Sequence, residues 1–156
     1  MSSATASRPS DFGYARVIRS GELIHVFGQV AFDEAGEFPH PGDFAAQLER
    51  TRADMDRVLD HYGGATRDQI VSRTVYMVGV RRNAAAASEG DLKYFGDHRP
   101  AATVLGVTEP AVPGQVVEIA FAVDLRLPAG GRRADGHGTT GGRGVGPALS
   151  SAGRPP

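Results

Sequence analysis

The chain has no cysteine among its 156 residues. Disulfides, thiolate metal sites and cysteine nucleophiles are therefore excluded. It has no tryptophan and no apolar run near the ~20 residues that a membrane-crossing helix needs. It also lacks an excess of charge, with 17 Lys and Arg against 18 Asp and Glu. No basic excess marks it as a nucleic-acid binder. The opening MSSATASRPSDF has no apolar stretch of the kind a secretory signal carries, so a cytoplasmic location is the default expectation. The five histidines, His25, His40, His61, His98 and His137, share no metal-ligand spacing, and neither a metal nor a cofactor is expected. No Gly-rich turn joins a strand to a helix, and no Gly-x-Ser-x-Gly element occurs.

What charge there is lies unevenly. Residues 128–156 hold nine glycines, four prolines and four arginines but one acid, Asp135. This leaves 13 basic and 17 acidic side chains in residues 1–127, a balance of −4. The Gly/Pro/Arg-rich segment has little apolar surface to offset its ordering entropy and reads as a disordered tail. Residues 1–12 read as a flexible start, and residues 13–127 as one domain.

Within that domain the hydrophobic period changes along the chain. YARVIR (Tyr14 to Arg19) and LIHVFGQVAF (Leu23 to Phe32) read as strands, with a turn at Ser20 to Glu22 between them. Asp43 is a good N-cap for a helix whose Phe44, Leu48, Met55, Val58, Leu59 and Tyr62 form one stripe. Glu49, Arg50, Arg52, Asp56 and Arg57 are expected on its solvent side, and Gly63-Gly64 stops it. Gln69 to Val80 reads as a strand. Asn83 to Gly96 reads as a second helix, weakened at Gly90. Ala102 to Val107 and Gln115 to Leu127 read as the last strands. The order is ββαβαββ, an α+β layer with both helices packed on one face of the sheet. Val17, Val75 and Phe121 are expected on the other face, where their apolar surface would call for self-association.

Four segments carry a family resemblance in order and spacing: FGQVAFDEAGE, the block AAQLERTRADMDRVLDHYGGATRDQIVSRTVYM, KYFGDHRPAATVLGV, and VVEIAFAV. Together they resemble the RidA family, also called YjgF/YER057c/UK114, and the resemblance covers about Tyr14 to Leu127. The resemblance implies a chorismate-mutase-like fold, a homotrimer with a cleft at each subunit interface, and cofactor-independent hydrolysis of reactive enamines and imines to a keto acid and ammonia. It also implies an arginine, in a PAR-[ST] motif, that clamps the substrate carboxylate, and a glutamate on the last strand that positions water.

Aligned on those motifs, Glu118 takes the place of the water-positioning glutamate, and Tyr14 that of a tyrosine in the cleft. Ala102 stands where the clamping arginine belongs, followed by Thr103 in the hydroxyl position. Phe27 replaces a small hydroxyl residue before the Gly-Gln pair. Catalysis is thus expected from Glu118 and Tyr14, and substrate contact from Phe27, Arg99, Ala102, Thr103 and Arg16. Arg99, three residues upstream, is weighed as a stand-in for the missing clamp against an ordinary surface arginine before a proline. Glu118 is weighed against a structural acid at the subunit interface, with the functional reading favoured, Tyr14 against core or interface filler, and Phe27 against strand packing. The changes at Ala102 and Phe27 point away from 2-aminoacrylate and toward a neutral or aromatic ligand. A non-catalytic trimer that binds small molecules or proteins is the alternative. RNA cleavage, also known in the family, is disfavoured by the acidic body.

Overall fold

A computed structural model describes residues 13–130. The expectations for residues 1–12 and for the tail beyond residue 130 lie outside the described residues. Five strands and two helices follow in the order ββαβαββ: β1 (Val17–Ser20), β2 (Leu23–Gln29), α1 (Phe44–His61), β3 (Ile70–Met77), α2 (Val80–Phe95), β4 (Ala101–Gly106) and β5 (Val117–Asp124). They form one sheet with strand order β1-β2-β5-β3-β4, in which β3 and β4 run parallel and the other pairs antiparallel. The architecture is the expected α+β layer.

Both helices sit on one face. Helix α1 starts at Asp43, whose side chain accepts from the Ala46 N–H, and Phe44, Leu48, Met55 and Leu59 are buried. From α2, Ala87, Tyr94 and Phe95 are buried. Against them the sheet turns Ile24, Val26, Val75, Met77, Val117, Ile119, Phe121 and Val123. Burial alternates along the whole of β5, which is the period-two signature of a strand covered on one side. Gln47, wholly buried on α1, donates to the carbonyls of His40 (2.8 Å) and Gly114 (2.9 Å) and accepts from the Val116 N–H (2.9 Å). That one amide ties the loop before α1 to the loop that feeds β5.

Several expectations are corrected. Val75 and Phe121 belong to the buried core, and Val17 packs against it, so none of the three faces outward. The register explains why: Val17 pairs with Val26, Val26 with Phe121, and Val75 with Ile119, all on the helix-covered side. The open face carries instead Ile18, His25, Thr74, Tyr76, Thr103, Leu105, Glu118, Ala120 and Ala122. Helix α2 begins at Val80, three residues before the expected start. Gly79 at φ 64° ends the strand direction abruptly, so Val80 and the two arginines after it enter the helix rather than extend β3. The strand ends are shorter than the apolar runs that suggested them.

Arg52 also departs from expectation. Its side chain is only 11% exposed, and its guanidinium donates to Asp91 of α2 (2.9 Å) and to the Ala87 carbonyl (3.2 Å). Arg73 of β3 reaches the other oxygen of Asp91. A Cβ at Gly90 would overlap the Arg52 guanidinium, so the weak point in α2 is the opening through which Arg52 passes. The described chain remains tied down just past Leu127: Gln69 donates to the Leu127 carbonyl (2.7 Å), and the Gly130 N–H donates to the Thr66 hydroxyl (3.2 Å).

Candidate functional site

The open face holds a pocket of about 210 Å³ lined by Gly28, Tyr76, Val107, Glu109, Pro110, Glu118 and Ala120. Strand alternation places Glu118 here, between buried Val117 and Ile119, which point to the helices. Tyr76 pairs with Glu118 across the β3–β5 ladder. The segment after β4 brings Val107, Glu109 and Pro110 over the same spot.

Two features fix the Glu118 carboxylate. Gln115 is buried, and its amide nitrogen donates to Glu118 Oε2 at 2.9 Å, while its amide oxygen accepts from the Val112 N–H at 3.1 Å. On the other side lies Gly28, where the β2–β5 register shifts between Val26 and Gln29. A Cβ at Gly28 would overlap the Glu118 carboxylate, so only glycine leaves room for it. One carboxylate oxygen is thereby held by Gln115 and the other lies against Gly28.

Next to this pocket, Arg16 and Phe27 lie opposite each other, the Phe27 N–H donating to the Arg16 carbonyl (3.0 Å). Tyr14 packs on Phe27 with ring centroids 5.6 Å apart, and the Arg16 guanidinium lies 5.9 Å from the same ring. Tyr14, Arg16 and Phe27 thus form one group beside Gly28. Thr103 is also on the open face, in register with Thr74, and is exposed.

Ala102 is not among these. It pairs with Arg73, and Arg73 pairs with Phe121, so within one chain Ala102 lies on the opposite face from Glu118. Within one chain, the neighbouring arginines are not part of the Glu118 pocket lining. Arg99 folds back on its own loop and donates to the carbonyls of Gly96 and His98 (2.7 Å for the latter), at the end of α2. These contacts hold the side chain just past the C-terminal end of α2. Arg73 is committed to Asp91 under the helices and lies 5.2 Å from the Phe95 ring. Within one chain the structure groups Tyr14, Arg16 and Phe27 with one another, next in sequence to the Gly28 that lines the Glu118 pocket, and leaves Ala102 and Arg99 outside both groups.

Gln115, Tyr76 and Glu109 are site residues that the sequence pattern does not single out. Alternation outward from Glu118 yields Ala120 and Ala122 on its own strand, but Tyr76 becomes a neighbour only through the antiparallel register. Gln115 and Glu109 act from a loop whose path no local pattern fixes. A larger groove of about 550 Å³ lies at the far ends of the helices, around Asp56, Arg67, Lys93 and Tyr94. There Arg67 binds both oxygens of Asp56 (2.9 and 2.6 Å), and the Tyr94 hydroxyl donates to Asp56 (2.8 Å). Burial, reinforced by Asp56, pushes the Tyr94 phenol above its usual range. These three side chains satisfy one another and belong to the stability of the fold. Among the described residues no cluster of three His, Asp or Glu side chains is arranged to hold a metal, and no helix is long and apolar enough to cross a membrane.

The comparisons with known proteins agree with the fold. The model of the family described as Endoribonuclease L-PSP matches residues 5–124. A RutC family protein of Pyrococcus abyssi is 31% identical over 106 residues, covering 67% of this chain and 81% of the relative. A solved member of the YjgF/YER057c/UK114 family from Mycobacterium tuberculosis is 26% identical with a TM-score of 0.64, covering 79% of this chain and 98% of its own. The Rid family protein YyfB of Yersinia pestis is 29% identical with a TM-score of 0.62, covering 80% of this chain and 96% of its own. With the family model spanning most of the described sheet and helices, the chain belongs to the Endoribonuclease L-PSP family, the RidA or YjgF/YER057c/UK114 family that its motifs resemble.

Proposed function

We propose that the protein binds a small imine or enamine at the Glu118 pocket and hydrolyses it to a carbonyl compound and ammonia, without metal or cofactor. The observation that carries this reading is the held carboxylate: Gln115 fixes one oxygen of Glu118, and Gly28 gives the group its space at the edge of a small pocket. Glu118 takes a proton from water as the water oxygen adds to the C=N carbon. It then returns the proton to nitrogen, and the C–N bond breaks as the hydroxyl oxygen forms the carbonyl and its proton passes to the departing ammonia. The pocket is below the ~300–1,000 Å³ of drug-sized sites, which suits a small substrate.

The same proposal includes a cytoplasmic homotrimer whose interfaces enclose this face. Edge strand β4 is exposed along its whole length, including Val104 and Leu105, and Ile18 and Tyr14 are exposed at the opposite edge. Uncovered edges of this kind are what a second copy would protect. With Ala102 and Glu118 on opposite faces of one sheet, only neighbouring copies could bring the two positions to one cleft. Light scattering is expected to give three times the chain mass, and a monomer at micromolar concentration overturns this part.

The deciding experiment is ammonia release from a panel of imines generated in situ. Glu118→Gln is expected to lose about 10²–10⁴-fold in kcat/KM. Equal activity in the variant overturns the assignment. A second reading, a binding protein without turnover, is favoured by Ala102 at the place of the carboxylate clamp. It predicts ligand binding by the unaltered protein with no ammonia released. RNA cleavage has no support at this pocket, where two carboxylates and no basic side chain would meet phosphate.

A further inference from the structure

We propose that Gln47, on the buried face of α1 and outside the pocket lining, is a positioning residue for Glu118. It sets the backbone of Gln115, and Gln115 in turn holds the carboxylate. The proposal rests on the reading of Glu118 as the group that moves the proton, and every contact it uses lies within one chain.

The Gln47 amide grips the main chain on both sides of Gln115. Its Nε2 donates to the Gly114 carbonyl at 2.9 Å, and its Oε1 accepts from the Val116 N–H at 2.9 Å. These two groups belong to the two peptide planes that meet at the Gln115 Cα. A planar peptide leaves only φ and ψ free between two such planes, so holding both planes fixes both angles. The direction in which the Gln115 side chain leaves the backbone is then fixed as well. That side chain is buried and donates to Glu118 Oε2 at 2.9 Å.

The anchor is itself anchored. The second Nε2 hydrogen of Gln47 goes to the His40 carbonyl at 2.8 Å. Both of its donors and its acceptor are therefore spent at this one junction. The Gly42 N–H donates to the same Gly114 carbonyl at 2.7 Å, and a Cβ at Gly114 would overlap Pro41. The loop before α1 thus closes on the loop before β5 with little room between them. An apolar side chain of the same length could fill the space of Gln47 but could hold neither peptide plane. Burying an amide is costly unless it is fully bonded, and here the bonded amide sits one residue-to-residue step from the pocket.

The test is a double-mutant cycle on the full chain: the unaltered protein, Gln47→Met, Gln115→Ala and the double variant, each read by kcat and KM for ammonia release from the imine panel. Gln47→Met keeps the length of the side chain and removes its hydrogen bonds. It is expected to lower kcat by about tenfold to a hundredfold, with KM little changed, because it displaces the carboxylate and touches no substrate. In the Gln115→Ala background the same change is expected to lower kcat less than about twofold, since the residue it acts through is gone. Losses that multiply, or an unchanged kcat in Gln47→Met, overturn the proposal while leaving imine hydrolysis intact. Should Gln47→Met fail to fold by circular dichroism, Gln47→Asn, an amide one methylene shorter, takes its place in the cycle. If the unaltered protein hydrolyses no imine, the catalytic reading fails and positioning is read without turnover. Gln47→Met is then expected to shift the Gln115 side-chain amide and the Glu118 carboxyl carbon resonances together. An unshifted Glu118 carboxyl carbon overturns the proposal.

Discussion

Beneath the helices, one carboxylate serves two guanidiniums: Asp91 accepts from Arg52 and Arg73, whose side chains are 11% and 9% exposed. On the open face, two carboxylates share a pocket with no cation in its lining. The covered side solves the problem of burying charge by pairing it. Two guanidiniums share that one carboxylate, so the cluster holds a surplus of positive charge, and the Nε atoms of Arg52 and Arg73 find no acceptor among the described residues. The open side keeps its surplus negative and accessible. Groups that satisfy one another hold a fold together, whereas groups left unsatisfied at a cavity are available to a ligand.

The largest expected effect comes from breaking the covered cluster. Asp91→Ala leaves two buried guanidiniums without their shared partner and should cost about 3 kcal/mol, or about 10 °C in melting temperature. A loss under about 1 kcal/mol in a denaturant titration would show that solvent already carries much of that charge. Next is Gly28→Ala on the open side. The added methyl group displaces the Glu118 carboxylate, and kcat/KM should fall about tenfold or more while stability changes little. Unchanged turnover would mean that the position of Glu118 over Gly28 is irrelevant to its role.

Gly90→Ala is a finer probe of the covered side. At an exposed mid-helix position alanine gains about 1 kcal/mol over glycine. Here its methyl group meets Arg52, which Asp91 and the Ala87 carbonyl hold in place, so a net loss of about 1 kcal/mol is expected. A stabilised variant would show that Arg52 moves aside freely.

The smallest effect concerns pH. The folded-state pKa of Tyr94 is raised, chiefly by burial and then by Asp56. The folded protein therefore holds that proton more tightly than the unfolded chain. The resulting stability is fully present below the unfolded value of about 10 and is lost as pH rises through the folded one. Denaturant titrations above pH 10 should show a shallower alkaline fall for Tyr94→Phe than for the unaltered protein. Parallel curves would remove Tyr94 from the alkaline response.

Glu118 is legible in the sequence because a carboxylate between Val117 and Ile119 breaks an apolar strand and matches a family motif. Asp43 is legible as a cap, and the α1 stripe as a core face, because helix period and capping are local properties. Ala102 is legible as a substitution, but its face is not. A strand's alternation says which residues share a side, and only pairing with β3 says which side that is. The same limit makes Val17, Val75 and Phe121 look outward-facing from their alternation alone, while the register puts them inward.

The sequence by itself determined the element order, the class of fold, the cap at Asp43 and the presence of Glu118 on the last strand, since each depends on residues close in the chain. Tertiary structure decided the rest: which sheet face is open, that Gln115 and Gly28 hold Glu118, that Arg73 and Arg99 are committed elsewhere, and that Glu109 shares the pocket. Those are contacts between segments far apart in the chain. They are fixed by strand register and loop closure, for which no short stretch of sequence carries the information.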